Sequence, residues 1–220
     1  VRCIAHRGFA ETYPENTVPA VRAAFDHVEM VEVDVRRCDS GELVVIHDET
    51  VDRVTDATGT VAECTLTELG EMDVLGSGAG IPTLDAVLDA VPPDGKLNIE
   101  LKERELAGDV LDAAADTDVD VLVSSFIVEE LHAARKLGAD RFAYLSAEDG
   151  KDGILNVARE LECPAIHPHW QLCVDAFVER AHDAGMTVNA WTVPSRHDAE
   201  ALDVVNVDGI IVDRPEVCLD

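Results

Sequence analysis

Glu32 and Asp34 stand two residues apart in the run MVEVDV, and His47 follows after a short polar break. Carboxylate oxygens are hard ligands that suit a divalent cation, and an imidazole in the same neighbourhood suits proton transfer. The spacing matters because alternate side chains of an extended strand share a face, which sets Glu32 and Asp34 side by side. Val31 to Val35 and Leu43 to Ile46 are β-branched runs of strand length, and Asp39-Ser40-Gly41-Glu42 between them has the composition of a tight turn. The two runs read as a hairpin. With Ser40 and Gly41 at its tip, Asp39 faces Glu42 and Asp34 comes opposite His47.

Other residues can join this group. Arg2 to Ala5 is a short apolar strand ending at His6-Arg7-Gly8, where a guanidinium can fork onto phosphate or carboxylate oxygens and the glycine permits close approach. Asn98, Glu100 and Lys102 share one face of a later strand. Glu100 can therefore complete a cation site, while Lys102 either leans toward a phosphate or pairs with Glu100 or Glu103. Trp191 stands at another strand end, as core or as pocket wall. In Pro14-Glu15-Asn16-Thr17, Asn16 or Thr17 can cap the helix that follows and Pro19 suits its first turn, which leaves Glu15 unexplained. Ser124, Ser125 and Asp213 read as caps or braces, and His167 and His169 are left outside the catalytic set. Carboxylates for a cation, cationic side chains for a phosphate and two histidines that each move a proton form an inventory for phosphoryl chemistry. Cys163, His167, His169 and Cys173 are the right types for zinc, but they crowd around one short strand with no second arm to close a tetrahedron.

Positioning such a set falls to a repeated strand and helix rhythm. Glu49 to Gly80 is an excursion with one short helix at 66–72, capped by Thr65 or Thr67, and reads as an insertion (48–81) near an active face. Ile81-Pro82-Thr83-Leu84 opens the next helix with Thr83 as cap. From there strands at 96–101, 119–124, 141–145, 165–168, 186–192 and 207–212 alternate with helices. With the strands ending at His6 and Val35, this makes eight of parallel type, which favours a closed TIM (β/α)8 barrel over an open doubly wound sheet. In such a barrel chemistry collects where the strands end. No GxGxxG or Walker motif supports a nucleotide fold.

A length of 220 residues with 47% apolar content suits one barrel domain spanning 1–220. No basic-plus-apolar leader and no run of bilayer length stands in the sequence, so a cytoplasmic protein without membrane insertion is expected. Forty-five acids against 17 bases give a formal charge of −28, and lysine is confined to Lys96, Lys102, Lys136 and Lys151. Such a surface suits concentrated salt, where the screening length falls to about 3 Å at 1 M, and points to a halophile. It argues against nucleic acid, whose phosphates need cationic neutralisation. The six cysteines show no CxxC pair or dense framework and are expected as reduced thiols.

The motifs AHRG at 5–8, PENT at 14–17, EVDV at 32–35, HD at 47–48, TG at 58–59, IPTL at 81–84, NIELK at 98–102, SSF at 124–126, AWTV at 190–193 and GIIVDRP at 209–215 together resemble the glycerophosphodiester phosphodiesterases. The resemblance runs from end to end. It implies a TIM barrel that hydrolyses a small-molecule glycerophosphodiester to a glycerol phosphate and an alcohol, with Mg²⁺ or Ca²⁺. It further implies Glu32, Asp34 and Glu100 as metal ligands, His6 and His47 as the acid/base pair, with His6 favoured as base and His47 as acid, Arg7 and Lys102 as phosphate contacts, and Trp191 as a wall of the glycerol pocket. The 49–80 stretch resembles the family's insertion, in a compact form. Two other outcomes remain open: a cyclising lyase like the related barrels acting on lysophospholipids, and a barrel that binds phosphodiesters without turnover.

Overall fold

Alternation along the strands decides the architecture. In the strand Lys96–Leu101 (β4), Leu97, Ile99 and Leu101 belong to the large apolar core while Asn98 and Glu100 occupy the opposite face. The strand Met30–Arg37 (β2) behaves alike: Val31, Val33 and Val35 join the same core, and Met30 shares its other face with Glu32 and Asp34. A strand buried on both sides belongs in a closed or covered parallel sheet. The computed structural model describes residues 1–147 and 150–219, and the sheet is closed.

The strands Arg2–His6 (β1), β2, β4, Asp120–Ser125 (β5), Phe142–Ser146 (β6), Ala165–Pro168 (β7), Thr187–Ala190 (β8) and Gly209–Val212 (β9) pair in parallel, and β1 closes the ring by bonding both β2 and β9. Leu43–Val45 (β3) lies outside the ring, antiparallel to β2. Around it stand the helices Val18–Ala24 (α1), Leu66–Glu71 (α2), Leu84–Leu88 (α3), Ala107–Ala115 (α4), Val128–Lys136 (α5), Gly150–Glu160 (α6), Asp175–Asp183 (α7) and Arg196–Val204 (α8). This is the eight-stranded TIM-barrel α/β fold expected from the alternation. The interior floor is apolar, with Ile4, Met30, Leu122, Ala143, Ala165 and Ile211 packed together. The acids of β2 and β4 lie beyond it, toward the ends of the strands. Thr17, Thr65 and Thr83 cap α1, α2 and α3 through their side chains, Thr65 within a full capping box with Glu68.

The hairpin differs from its expected register by one residue. Val35, Arg36 and Arg37 pair with Val45, Val44 and Leu43, and the Ile46 amide donates to the Asp34 carbonyl at 3.0 Å, so Asp34 lies opposite Ile46 and not His47. The tip is the three-residue loop Asp39 to Gly41, closed by Cys38 N–H donating to the Glu42 carbonyl at 3.1 Å, with Gly41 at φ +100°. A glycine in the left-handed region at the third loop position selects this longer connection. Burial on both sides of β3 fixes the pairing, because Val45 packs into the barrel core while Val44 and Ile46 join a second cluster with Val51, Val54, Val61, Leu69, Val74 and Ile81. That second cluster gives the 49–80 stretch its own small core.

The expectation of six reduced thiols fails at Cys3 and Cys218, which form a disulfide across 215 residues, while Cys38, Cys64, Cys163 and Cys173 are free. The two partners lie in β1 and just beyond β9, so geometry at the closing seam of the barrel brings them within reach. Zinc finds no support among the described residues. Burial pushes the Cys163 thiol up to about 12, and among the described residues the sole group of close metal-ligating side chains is Glu32, Asp34 and Glu100. Thiol titration of the unfolded, non-reduced protein should find 4 reactive cysteines and 6 after reduction, whereas 6 before reduction would contradict the bond. Cys3→Ser should lower stability by roughly 2–5 kcal/mol in chemical denaturation.

Candidate active site

His6-Arg7-Gly8 leaves the end of β1 in a tight reversal that folds over the barrel mouth. Arg7, Phe9 and Asn16 take positive φ of 52°, 69° and 58°, and such strain in residues other than glycine gathers where surroundings over-determine it. Gly8 is required by packing as well as by its φ of +76°, since a Cβ there would meet the Ala20 backbone at 2.9 Å. The Asn16 amide N–H donates to the Arg7 carbonyl at 3.0 Å, which ties the PENT segment to the turn. The Asn16 side chain then reaches Asp34 twice, its Nδ2 donating to Oδ2 at 2.9 Å and its Oδ1 accepting from the Asp34 amide at 3.3 Å.

Glu32, Asp34 and Glu100 converge in the interior, each offering an oxygen within 4.8 Å of the others, and all three are buried. Cationic groups surround them. Arg7 Nε lies 3.1 Å from Asp34 Oδ2, the Arg7 amide donates to Glu32 Oε2 at 3.0 Å, and Lys102 Nζ donates to Glu100 Oε1 at 2.6 Å while lying 3.5 Å from Asp34 Oδ1. Lys102 thus takes the ion pair with Glu100 that the sequence left open as one of its alternatives. Burial and the neighbouring Asp34 charge push the Glu32 carboxyl well above its ordinary value, and Glu100 moves up for the same two reasons. Burial works in the same direction on Asp34, but Arg7, Lys102 and the histidines outweigh it and hold that carboxyl low. Glu32 Oε1 and Asp34 Oδ1 are buried without a hydrogen-bond partner. Unsatisfied, mutually repelling carboxylate oxygens in one place are a donor set that fits a hard divalent cation.

The two histidines flank this cluster. His6 Nε2 lies 3.9 Å from Glu32 Oε2, and its Nδ1 is 2.6 Å from Asp213 Oδ1 at the end of β9. His47, past the end of β3, is held at Nδ1 by Asp48 Oδ1 at 2.5 Å, and its carbonyl accepts from Arg36 Nε at 2.9 Å. Burial opposes the charged form of His6, yet the Asp213 hydrogen bond and the Glu32 charge raise its pKa; burial lowers that of His47, with Asp34 opposing and Arg7 and Lys102 assisting. These opposite shifts make His6 the more basic of the two imidazoles in the metal-free chain, and a doubly charged ion held beside Glu32 would oppose its protonated form.

One cavity of about 100 Å³ is lined by His6, Arg7, Glu32, His47, Glu100, Lys102 and Trp191, so the sequence-derived set comes together apart from Asp34, which lies buried just behind it. Trp191 is both core and wall: it packs on the interior floor, donates from Nε1 to the His167 carbonyl at 2.7 Å and meets Phe126 edge-on at 5.4 Å. Ser125 braces the mouth by donating to the Leu101 carbonyl at 2.7 Å, while Ser124 faces the cavity with its hydroxyl unpartnered. His167 is buried inside the barrel and His169 lies just after β7. Sequence reasoning missed Asn16 and Asp48 as orienting groups. Asn16 was masked by an equally good capping role, and Asp48 by the wrong hairpin register.

Carboxylates able to hold a cation, paired histidines and two cationic side chains around one cavity at the strand ends define a TIM-barrel phosphodiesterase. The chain belongs to the glycerophosphoryl diester phosphodiesterase family, whose model matches residues 6–217. It is 32% identical over 231 residues to the glycerophosphodiester phosphodiesterase of Caldanaerobacter subterraneus subsp. tengcongensis, covering 98% of this chain and 95% of that one. An Oleispira antarctica phosphodiesterase, solved in complex with the product sn-glycerol-3-phosphate, superposes with a TM-score of 0.88 at 26% identity, covering 98% of this chain and 94% of the other. The glycerophosphodiester phosphodiesterase of Thermotoga maritima superposes at 0.86 with 28% identity, covering 99% of this chain and 96% of that one.

Because the Glu32 carboxyl is raised to about 8, the folded chain retains a proton there that the unfolded chain has already lost at neutral pH. His6 is shifted in the same sense, while His47 and His167, shifted down, are neutral in both states above their ordinary value of 6.5. Melting temperature in chelator should therefore fall from pH 7 to pH 8, as the proton-linked stability is lost. Added Mg²⁺ should flatten that slope, and a chelated protein equally stable at both values would contradict the shifts.

Proposed function

We propose that the chain hydrolyses glycerophosphodiesters to a glycerol phosphate and an alcohol, as one barrel domain spanning 1–220 with 48–81 inserted. The observation that supports this best is the convergence of Glu32 and Glu100 with His6, His47, Arg7 and Lys102 at one cavity, with Asp34 grouped with the two glutamates just behind it. In this reading Glu32, Asp34 and Glu100 hold Mg²⁺ or Ca²⁺, which supplies charge stabilisation for the phosphoryl oxygens. Arg7 and Lys102 add to that stabilisation where negative charge grows, Lys102 turning from Glu100 toward the phosphate. One imidazole takes the proton of the attacking water or glycerol hydroxyl, and the other gives a proton to the leaving alkoxide. Asp213 and Asp48 fix the two rings by bonding Nδ1 and leave both Nε2 atoms for this work. Trp191 forms the apolar wall against which the glycerol carbons lie.

The acidic surface fits a halophile's cytoplasm, with the Cys3–Cys218 disulfide standing against a strongly reducing one. No helix among the described residues is long and apolar enough to cross a membrane.

Purified protein with Mg²⁺, Ca²⁺ or Mn²⁺ should release glycerol phosphate from glycerophosphocholine and lose this activity in chelator. His6→Ala and His47→Ala should each fold normally and lose about 10²- to 10⁴-fold in turnover. Phosphorus NMR reads the outcome: a persistent cyclic ester favours the lyase, and metal-independent binding without turnover favours a binding barrel. Activity and melting temperature should both rise from dilute buffer to multimolar KCl, and indifference to salt would count against the halophile assignment.

A further inference from the structure

Arg53 lies outside the cavity, yet its side chain joins the two halves of the site. Nε donates to Asp48 Oδ2 at 2.5 Å, Nη1 to Glu15 Oε2 at 2.7 Å and Nη2 to Glu15 Oε1 at 2.9 Å. Each carboxylate passes the contact on. Asp48 holds His47 Nδ1 through its other oxygen at 2.5 Å, and Glu15 Oε1 also accepts from Arg7 Nη1 at 3.0 Å. We propose that Arg53 is a positioning residue, fixing the His47 imidazole through Asp48 and the Arg7 guanidinium through Glu15 with one planar fork.

Several observations carry this. Arg53 sits in the insertion between Val51 and Val54, both buried in its small core, and the Thr55 amide and hydroxyl both donate to the Val51 carbonyl at 3.0 and 2.9 Å. The backbone that carries the guanidinium is therefore set by packing. Glu15, which capping could not explain, is buried and shared by two guanidiniums, a costly use of two cations in a chain with 45 acids and 17 bases. Guanidinium geometry is also specific, because its nitrogens meet both carboxylates in one plane, whereas an ammonium is a point charge on a flexible stem. The arrangement assigns the insertion a part in the chemistry although none of its residues lines the cavity: its folding sets His47 and Arg7 together.

The competing explanation is an ion pair that merely anchors the insertion, as the half-exposed Arg53 side chain allows. The inference rests on the roles proposed above for His47 and Arg7, and the experiment separates the two. Wild type, Arg53→Lys and Arg53→Gln are compared with Mg²⁺ in high salt for turnover of glycerophosphocholine, for melting temperature, and for the side-chain nitrogen NMR spectrum of His47. Misplacing catalytic groups by about 1 Å can cost 10²-fold, so Arg53→Gln should lose roughly 10- to 100-fold in kcat with a smaller change in KM. Arg53→Lys should recover only part of this, and Asp48→Asn should add little in the Arg53→Gln background, as expected for members of one chain of contacts. The imidazole of wild type should show one tautomer with Nδ1 protonated, and Arg53→Gln a mixture or a shifted titration. A fall in melting temperature with kcat and the His47 spectrum unchanged would overturn the inference. If wild type leaves glycerophosphodiesters intact, the proposed substrate fails, and the His47 spectrum alone then decides the part played by Arg53.

Discussion

Mutual repulsion of carboxylates buried in the barrel interior is the constraint that the rest of the site answers. Glu32, Asp34 and Glu100 lie beyond an apolar floor that offers them no solvation, so each must find charge or hydrogen bonds from its surroundings. Arg7, Lys102 and Asn16 supply part of that compensation to Asp34 and Glu100, and His6 and the Arg7 amide supply it to Glu32. Glu32 Oε1 and Asp34 Oδ1 are still left without a hydrogen bond. An arrangement that buries three carboxyl groups together at such cost fits a site built to receive a doubly charged ion.

The same demand explains why segments far apart in the chain crowd the mouth. The turn after β1 is strained because its backbone must aim an amide at Glu32 and a guanidinium at Asp34 at once. The PENT segment packs on that turn through Asn16 and Glu15, and the insertion reaches back to Glu15 through Arg53. At the closing seam, β1 and β9 deliver His6 and Asp213 to the same place, and the Cys3–Cys218 disulfide lies on that seam. The seam that closes the barrel is thus also the place where His6 meets its partner Asp213.

Much of this was legible in the sequence where period and residue type coincide. Strand alternation placed Glu32 with Asp34 and Asn98 with Glu100, and the helices begin at threonines or shortly after the strands that the apolar runs mark. What resisted was geometry set by single backbone torsions and by contacts between distant segments. Gly41 lengthened the hairpin loop by one residue, which put Ile46 opposite Asp34 and left His47 to be held by its neighbour Asp48. Asn16 had a sufficient local role as a cap, but Thr17 takes that role and frees Asn16 for Asp34. Arg53 carried no local signal, since its partners lie 5 and 38 residues away. The disulfide was hidden because only closure of the barrel brings residues 3 and 218 together.

Joint binding of a single divalent ion by the three interior acids is the step on which the proposed function stands. Crystals grown or soaked with Mn²⁺ and measured at its absorption edge test it directly. One strong anomalous peak bounded by Glu32, Asp34 and Glu100 is expected, and its disappearance in Asp34→Asn. Manganese bound only at the acidic outer surface, with the interior carboxylates still paired to Lys102 and Arg7, would contradict it.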